Sequence, residues 1–295
     1  VTADGSSTVF PVTEAVAEDF QASKPGIKVT VGTSGTGGGF KKFCRGEIDV
    51  ADASRPISAE EMKIAKDGGI EYVELPICFD ALTVVVNPAN TWCQTITVAE
   101  LAKIWGPEAD GKIKTWDQIR PEWPKEKLTL YGPGTDSGTF DYFTEAIAGK
   151  KGASRTDYTA SEDDNVIVRG IEGDKFSMGY VGFAYVAASE GKLKPLQIGG
   201  TAPTPENVLK GVYNPLSRPL FIYVNRKSLA EKPEVKAFVN FYLEQASTLV
   251  AEVKYVALPD PIYALAKKRV AEMKTGTIFG GKEAVGLRIE QLFDR

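Results

Sequence analysis

The hydrophobic and polar positions of the chain predict strands and helices that follow one another. The first predicted helix has an apolar face formed by Val12, Ala15, Val16 and Phe20. It should end at the Lys24-Pro25-Gly26 break, and residues 27–31 then alternate as a half-buried strand does. The order of strand, small polar turn and helix recurs downstream. This order predicts an α/β protein.

Further elements follow from capping signals and apolar runs. Ser58 with Glu61, and Thr97 with Glu100, are typical of helix starts. The remaining predicted elements are strands at residues 48–51, 70–77, 81–86 and 128–131, and helices near residues 232–245 and 261–274.

Two similar segments, residues 81–87 and 219–225, are β-branched or aromatic and end in Asn. We interpret them as the strands by which the chain enters and leaves a second lobe, and two unrelated core strands are the alternative. The first interpretation assigns residues 1–83 and 224–295 to lobe 1 and residues 84–223 to lobe 2. A chain of 295 residues is long enough for two such lobes.

Composition narrows the function. Net charge is −4 without a long basic block, which disfavours nucleic acid as a partner. The absence of histidine excludes Ser-His-Asp catalysis and His-ligated zinc. Cys44, Cys78 and Cys93 have no metal-site spacing, so no metal and no cofactor are expected. They are either three buried thiols or, in an exported protein, one disulfide and one free thiol.

Three turns carry hydroxyl groups and glycines ahead of predicted helices, at residues 5–8, 33–36 and 135–139. Backbone amides at a helix start, joined by short hydroxyl side chains, can replace the water around an oxyanion. Each turn alone could equally be a helix cap. The motifs of phosphate-loop NTPases, dinucleotide-binding folds and serine hydrolases are absent from them. Three together favour a shared anion site.

A fourth segment, residues 52–57, follows the predicted strand at residues 48–51. Its Arg55 offers a forked and permanently charged donor that suits two oxygens of one anion. The alternative for Arg55 is an ion pair with a neighbouring acid, which would contribute little to stability.

The four segments together resemble the phosphate-binding subunit of bacterial ABC phosphate importers, with the cyanobacterial-type proteins as the nearest group. The resemblance rests on GSSTVFP at residues 5–11, GTSGTG at 32–37, ASRP at 53–56 and DSGT at 136–139. It implies a class II periplasmic-binding fold, in which two α/β lobes joined by two crossing strands close on one phosphate in the cleft.

The resemblance also implies a set of phosphate-binding residues. Together with our assignments from the residue chemistry, the expected set is Ser7, Thr8, the Val9 amide, Ser34, Asp52, Ser54, Arg55, Thr135, Asp136, Ser137, Gly138 and Thr139. Many family members carry an Arg just ahead of the Ser-Gly-Thr turn, whereas this chain has Gly-Pro-Gly-Thr at residues 132–135. We therefore expect Arg55 to supply the charge from the opposite lobe.

Selection of phosphate over sulfate requires an acceptor for the proton that phosphate carries near neutral pH. Asp52 and Asp136 are the candidates, and we favour Asp52 because Asp136 is well placed to cap a helix. The alternative for Asp52 is an ion pair with Arg55.

The expected function is that of a monomeric carrier, not an enzyme, that delivers phosphate to the membrane subunits of an ABC importer. Its expected location is the periplasm or, as a lipoprotein, the cell surface; the first residues show no signal peptide. The alternatives are a carrier for another oxyanion, such as sulfate or molybdate, and a histidine-free enzyme in which Asp136 activates Ser137.

Overall fold

Strands and helices alternate along the chain in the computed structural model, which describes residues 1–135, 137–161, 163–189, 191–278 and 280. The strands are β1 (Thr2–Gly5), β2 (Thr30–Gly32), β3 (Val50–Ala53), β4 (Tyr72–Val86), β5 (Thr95–Ile96), β6 (Thr129–Pro133), β7 (Thr159–Ser161), β8 (Ser177–Gly182), β9 (Lys194–Pro195), β10 (Gln197–Ile198), β11 (Ser217–Asn225) and β12 (Val256–Ala257). The α-helices are α1 (Phe10–Ser23), α2 (Thr36–Phe43), α3 (Ala59–Asp67), α4 (Val98–Trp105), α5 (Gly138–Ala148), α6 (Asp164–Gly173), α7 (Phe183–Ala188), α8 (Pro205–Leu209), α9 (Arg226–Glu231), α10 (Pro233–Glu252) and α11 (Asp260–Ala271). Among these helices, none has both the length and the apolar character needed to cross a membrane.

The chain divides into two compact units. The first comprises Val1–Asp80 and the described residues from Arg218 onward, and the second is Ala81–Ser217. The chain therefore passes from the first unit to the second within β4 and returns within β11. The predicted boundaries at 83/84 and 223/224 fall in the same two strands.

The sheet of the first unit places three strand ends side by side. Its order is β2-β1-β3-β11-β4, with β12 paired to β4. β1 runs parallel to both β2 and β3, with Asp4 opposite Gly32 and Gly5 opposite Asp52. Because parallel strands end at the same edge of a sheet, the segments that follow β1, β2 and β3 begin at one edge.

Helix α1 confirms the predicted apolar face. Val12, Val16 and Phe20 have no exposed surface, and the Phe20 ring lies 5.4 Å from the Phe238 ring of α10. This packing fixes the start of α1 beside the end of β1, since only residues 6–9 separate the two elements.

In the second unit, the order is β4-β8-β6-β7, with β9 paired to β4 and β5 paired to β10. The ring of Phe143 on α5 stacks on Tyr180 of β8 at 3.7 Å, and both rings contact Trp105. These contacts hold α5 against the sheet, and residues 134–137 connect the end of β6 to its first turn.

The sequence predicts the starts of α3 and α4 correctly, but it misplaces the bounds of β2 and β4. Ser58 and Thr97 form the predicted capping boxes with Glu61 and Glu100. The predicted strands at 70–77 and 81–86 are one continuous, fully buried strand, β4. Asp80 interrupts the apolar pattern between them, but an arginine on the neighbouring strand pairs with it, so the strand continues. The predicted strand at 27–31 begins only at Thr30.

The three cysteines are free and buried, as the first of the two alternatives expected. Burial, together with the charge of nearby Glu61, raises the pKa of Cys44 to about 11, and burial raises that of Cys93 to about 12. Their thiolate forms are therefore scarce at neutral pH.

Candidate anion-binding site

Hydroxyl groups gather where β1, β2 and β3 end. Ser7 and Thr8 follow β1, Ser34 follows β2, and Ser54 follows β3. Thr36, at the start of α2, joins two of these segments, because its Oγ1 lies 3.0 Å from Ser54 Oγ and accepts the Ser54 amide at 3.2 Å. The structure thus brings three of the four predicted segments to one edge of the first unit.

The turn after β1 is tightly bonded. The Ser6 amide donates to the Asp52 carbonyl at 2.9 Å, and the Ser6 hydroxyl accepts the Thr8 amide at 3.2 Å. The Val9 amide, expected to bind phosphate, donates to the Ser6 carbonyl at 3.2 Å in this structure. Ser7 is exposed, whereas Thr8 retains only 7% of its surface.

Asp4 organises the second segment, and sequence reasoning missed it. Both the amide and the hydroxyl of Ser34 donate to Asp4 Oδ1 at 2.8 Å, while Lys42 of α2 pairs with Oδ2. Burial works to raise the pKa of Asp4, but these bonds outweigh it and hold the pKa below its usual value. Asp4 is therefore ionised at neutral pH and fixes Ser34. An acid inside a strand just before the first hydroxyl-rich turn was the available signal.

Arg55 forms the ion pair that was its alternative role, although its partner is not Asp52. Its Nη1 and Nη2 each donate to Glu61 at 2.8 Å, and its side chain is 44% exposed. Glu61 also caps α3, so one carboxylate holds both the arginine and the helix start. Although burial raises the pKa of Glu61, the bonds from Arg55 and Ser58 lower it overall.

Asp52 has a different environment from the hydroxyl groups. Its carboxyl has no exposed surface, and its Oδ1 accepts the Thr13 hydroxyl of α1 at 3.0 Å. Thr13 lies 3.0 Å from the Tyr242 hydroxyl of α10. Burial, reinforced by the charge of Asp4 and opposed by the Thr13 bond, raises the pKa of Asp52 to about 7. The structure therefore turns this carboxyl towards α1 and α10 and leaves it no surface for a ligand.

The end of the β3 segment is held by a buried tyrosine. The Tyr223 hydroxyl accepts the Ile57 amide at 2.8 Å and donates to Glu74 Oε2 at 2.7 Å. Both bonds are buried, so the hydroxyl fixes residues 54–57 to β4 and β11.

We expect Tyr223→Phe to lower the free energy of unfolding by roughly 1–2 kcal/mol, because two buried partners lose a hydrogen bond. Denaturant unfolding measures the change. The matched control is Tyr213→Phe, which removes a single buried hydroxyl bond to the Leu82 carbonyl. A cost for Tyr223→Phe no larger than that of the control would contradict this anchoring.

Arg218 is the second group that sequence reasoning missed. Its Nη2 donates to Thr8 Oγ1 at 3.2 Å and lies 3.4 Å from Asp80 Oδ2. Only 17% of its side chain is exposed. A signal existed: the triplet Ser-Arg-Pro occurs at residues 54–56 and again at 217–219.

In the second unit, the turn after β6 contains the residue that caps α5. The Ser137 hydroxyl accepts the Thr139 amide at 3.2 Å and caps the helix. Thr135 is exposed, and Ser137, Gly138 and Thr139 are half-buried. Asp136 lies outside the described residues.

Comparison with known proteins gives the family of the chain. The model of the PBP superfamily domain matches residues 1–246. The chain belongs to this superfamily. Among PBP-superfamily relatives, Protein SphX of Synechococcus elongatus is 54% identical over 297 residues, which cover 99% of this chain and 87% of SphX. The phosphate-binding protein PstS of Staphylococcus saprophyticus is 38% identical over 268 residues, covering 89% of this chain and 82% of PstS.

A solved structure extends the comparison to three dimensions. It is described as a possible phosphate binding protein from Planctomyces limnophilus, is 48% identical, and matches with a TM-score of 0.87. The match covers 93% of this chain and 98% of that one. These relatives confirm the predicted family and its α/β periplasmic-binding fold.

Proposed function

We propose that this protein binds inorganic phosphate and delivers it to an ABC-type importer in the membrane. The observation that carries the proposal is the set of hydroxyl groups on Thr8, Ser34, Thr36 and Ser54 at the adjoining ends of β1, β2 and β3. The phosphate-binding names and descriptions of its relatives PstS and the Planctomyces protein support phosphate as the anion.

The chemistry of this set suits a protonated oxyanion. A hydroxyl group can donate one hydrogen bond and accept two, so it can serve both the bare and the protonated oxygens of phosphate. The starts of α1 and α2 add partial positive charge beside these hydroxyls. The carboxylates of Asp4, Glu61 and Asp80 are each paired with a cation, which limits their repulsion of an anion.

We further propose that Ser137, Gly138 and Thr139 of the second unit are phosphate donors. Their half-buried position at the start of α5 leaves them available, and this start follows a strand end as in the first unit. The protein would work as a monomer outside the cytoplasmic membrane and would make or break no covalent bond.

Calorimetric titration of phosphate-stripped protein with phosphate, sulfate and molybdate, at neutral pH and raised salt, tests the function. Salt screens loose surface attraction and spares a desolvated site. We expect one phosphate per chain and no sulfate heat. Equal binding of phosphate and another oxyanion would contradict phosphate specificity, and no binding would contradict the proposed function itself.

Removing one hydroxyl group from each unit should weaken phosphate binding without unfolding the protein. The Ser34 hydroxyl donates to Asp4 and can accept from a protonated oxygen of phosphate, whereas the Ser137 hydroxyl accepts the Thr139 amide and keeps its proton for the ligand. We expect Ser34→Ala and Ser137→Ala each to raise the phosphate Kd by about tenfold or more, the usual effect of losing a hydrogen bond to a charged group. Thr33→Ala, at an exposed neighbour of Ser34, is the matched control and should leave the Kd within about twofold. A Ser137→Ala protein with the control's affinity would show that the Ser137 hydroxyl does not donate to the phosphate.

A further inference from the structure

Two arginines lie beside the hydroxyl groups of the first unit, and they differ in what holds them. Arg55 directs both of its terminal nitrogens to Glu61, and nearly half of its side chain is exposed. Arg218 is mostly buried and reaches the Thr8 hydroxyl with Nη2. A charge that is shielded from water acts more strongly on a bound anion than an exposed one does. Arg218 is therefore the better placed of the two.

The bond from Arg218 decides what Thr8 can do. A hydroxyl group has one proton, and a guanidinium can only donate. Because Thr8 Oγ1 accepts from Arg218, its own proton is free to point to a further acceptor. Thr8 Oγ1 is thus set up as a donor, and the positive charge behind it strengthens that donation. This donor, with the Arg218 charge behind it, favours the binding of an anion. It does not favour a neutral ligand that can only donate hydrogen bonds.

Asp80 explains how the arginine is kept in place. It is 3% exposed and lies on β4, next to β11, which carries Arg218. Burial raises the pKa of Asp80, and the nearby Arg218 charge opposes that rise. A buried ion pair costs desolvation that packed apolar side chains would avoid, so stability alone is a weak reason for it. Its geometry does, however, aim Arg218 at Thr8.

We propose that Arg218, rather than Arg55, supplies the positive charge for phosphate binding, as a positioning residue that acts through the Thr8 hydroxyl. This inference rests on the proposed function. From the sequence we expected Arg55 to supply this charge, in place of the arginine that many family members carry ahead of the Ser-Gly-Thr turn. The inference assigns that role to Arg218. It also explains why the chain can lack an arginine ahead of residues 137–139.

The test is a set of phosphate titrations on Arg218→Met, Arg55→Met, Thr8→Val and the Arg218→Met/Thr8→Val double variant. We expect Arg218→Met to raise the Kd by about 30-fold or more, the range for a charge-assisted bond. Arg55→Met should raise the Kd less. Arg45→Met, at an exposed arginine of the first unit, is the control and should stay within about twofold. In the Thr8→Val background, Arg218→Met should add only a few-fold.

Thermal unfolding of each variant without phosphate separates binding from folding. Because Arg218→Met leaves Asp80 buried without its cation, Arg218→Met/Asp80→Asn and Arg218→Lys are measured beside it. Lysine keeps the charge but loses the fork, so Arg218→Lys should recover part of the affinity.

The outcomes are distinct. Wild-type protein that binds no phosphate overturns the proposed function and this inference together. Wild-type binding with an Arg218→Met Kd close to wild type, or with a larger loss from Arg55→Met, overturns the inference alone. Losses that add fully in the double variant overturn the action through Thr8. If Arg218→Met and Arg218→Met/Asp80→Asn both fail to fold, an Arg218→Lys protein with wild-type affinity, on which the effect of Thr8→Val is additive, overturns the inference.

Discussion

Replacing Gly5 with alanine is expected to cost about 4 kcal/mol or more of unfolding free energy and to remove phosphate binding with it. Gly5 has a φ of +148°, which side chains rarely tolerate. A Cβ there would lie 2.1 Å from the Asp52 carbonyl oxygen and 2.9 Å from the Asp52 nitrogen. Both are backbone atoms of the paired strand β3, so no side-chain rotation can relieve the contact.

The control for this prediction is Gly35→Ala. Gly35 also has a positive φ, +77°, but its Cβ would meet nothing within 4 Å. It should therefore show the cost of the backbone conformation alone, about 1–3 kcal/mol. Denaturant unfolding of both variants measures the difference. Equal costs for Gly5→Ala and Gly35→Ala would mean that β1 and β3 can separate at this point without penalty.

The second large effect concerns Asp52 and pH. Burial raises its pKa from the ordinary value of 3.8 to about 7, so the folded protein holds a proton that the unfolded chain releases at lower pH. Stability from this group is complete below about pH 4 and is lost as pH rises to about 7. By the size of the shift, the loss is roughly 2–4 kcal/mol. We expect Asp52→Asn to abolish this decline.

Unfolding free energies of wild type and Asp52→Asn, measured from pH 4 to pH 8, test the prediction. The chain has no histidine, and Glu74 and Asp80, whose pKa values burial also raises, are present in both proteins, so their contribution cancels in the comparison. The groups that face Asp52 are Asp4, Thr13 and Tyr242, and all three remain in the variant. Parallel pH profiles of the two proteins would refute the buried proton.

Asp49→Asn is the matched control, because its carboxylate has the opposite shift. Burial raises the pKa of Asp49, but bonds from Lys232, Ser228 and Thr2 outweigh it and lower the pKa. Stability from Asp49 is therefore present above its unfolded pKa and is lost as pH falls below it. The decline between pH 4 and pH 7 should survive in Asp49→Asn.

The strand ends of the first unit could be predicted because their signals are local. At residues 33–36, glycine and hydroxyl residues follow the alternating pattern of residues 27–31, and both this turn and the one at residues 5–8 precede a helix pattern. Parallel pairing then brings such turns together without further information. The same holds for the capping boxes of α3 and α4, where donor and acceptor lie three residues apart.

The ion-pair partners of the charged side chains could not be predicted, because they depend on which helices and strands lie next to one another in the fold. Arg55 finds Glu61 only when α3 begins with its capping box, although Asp52 is nearer in sequence. Arg218 meets Thr8 across 210 positions, through the order β1-β3-β11 in the sheet. In the sequence, the charge of Asp80 indicates that a strand ends there. The structure shows that β4 continues through Asp80, because Arg218 of the neighbouring strand β11 pairs with it.

The burial of the native thiols makes the chain a convenient scaffold for site-specific labelling. The sequence has three cysteines, all of them buried and with raised pKa values. A cysteine introduced at exposed Thr135 would then react far faster with maleimide than any of them. A fluorophore attached there would report on the neighbouring turn without removal of native cysteines. The protein could in this way serve as an optical sensor for the ligand it binds.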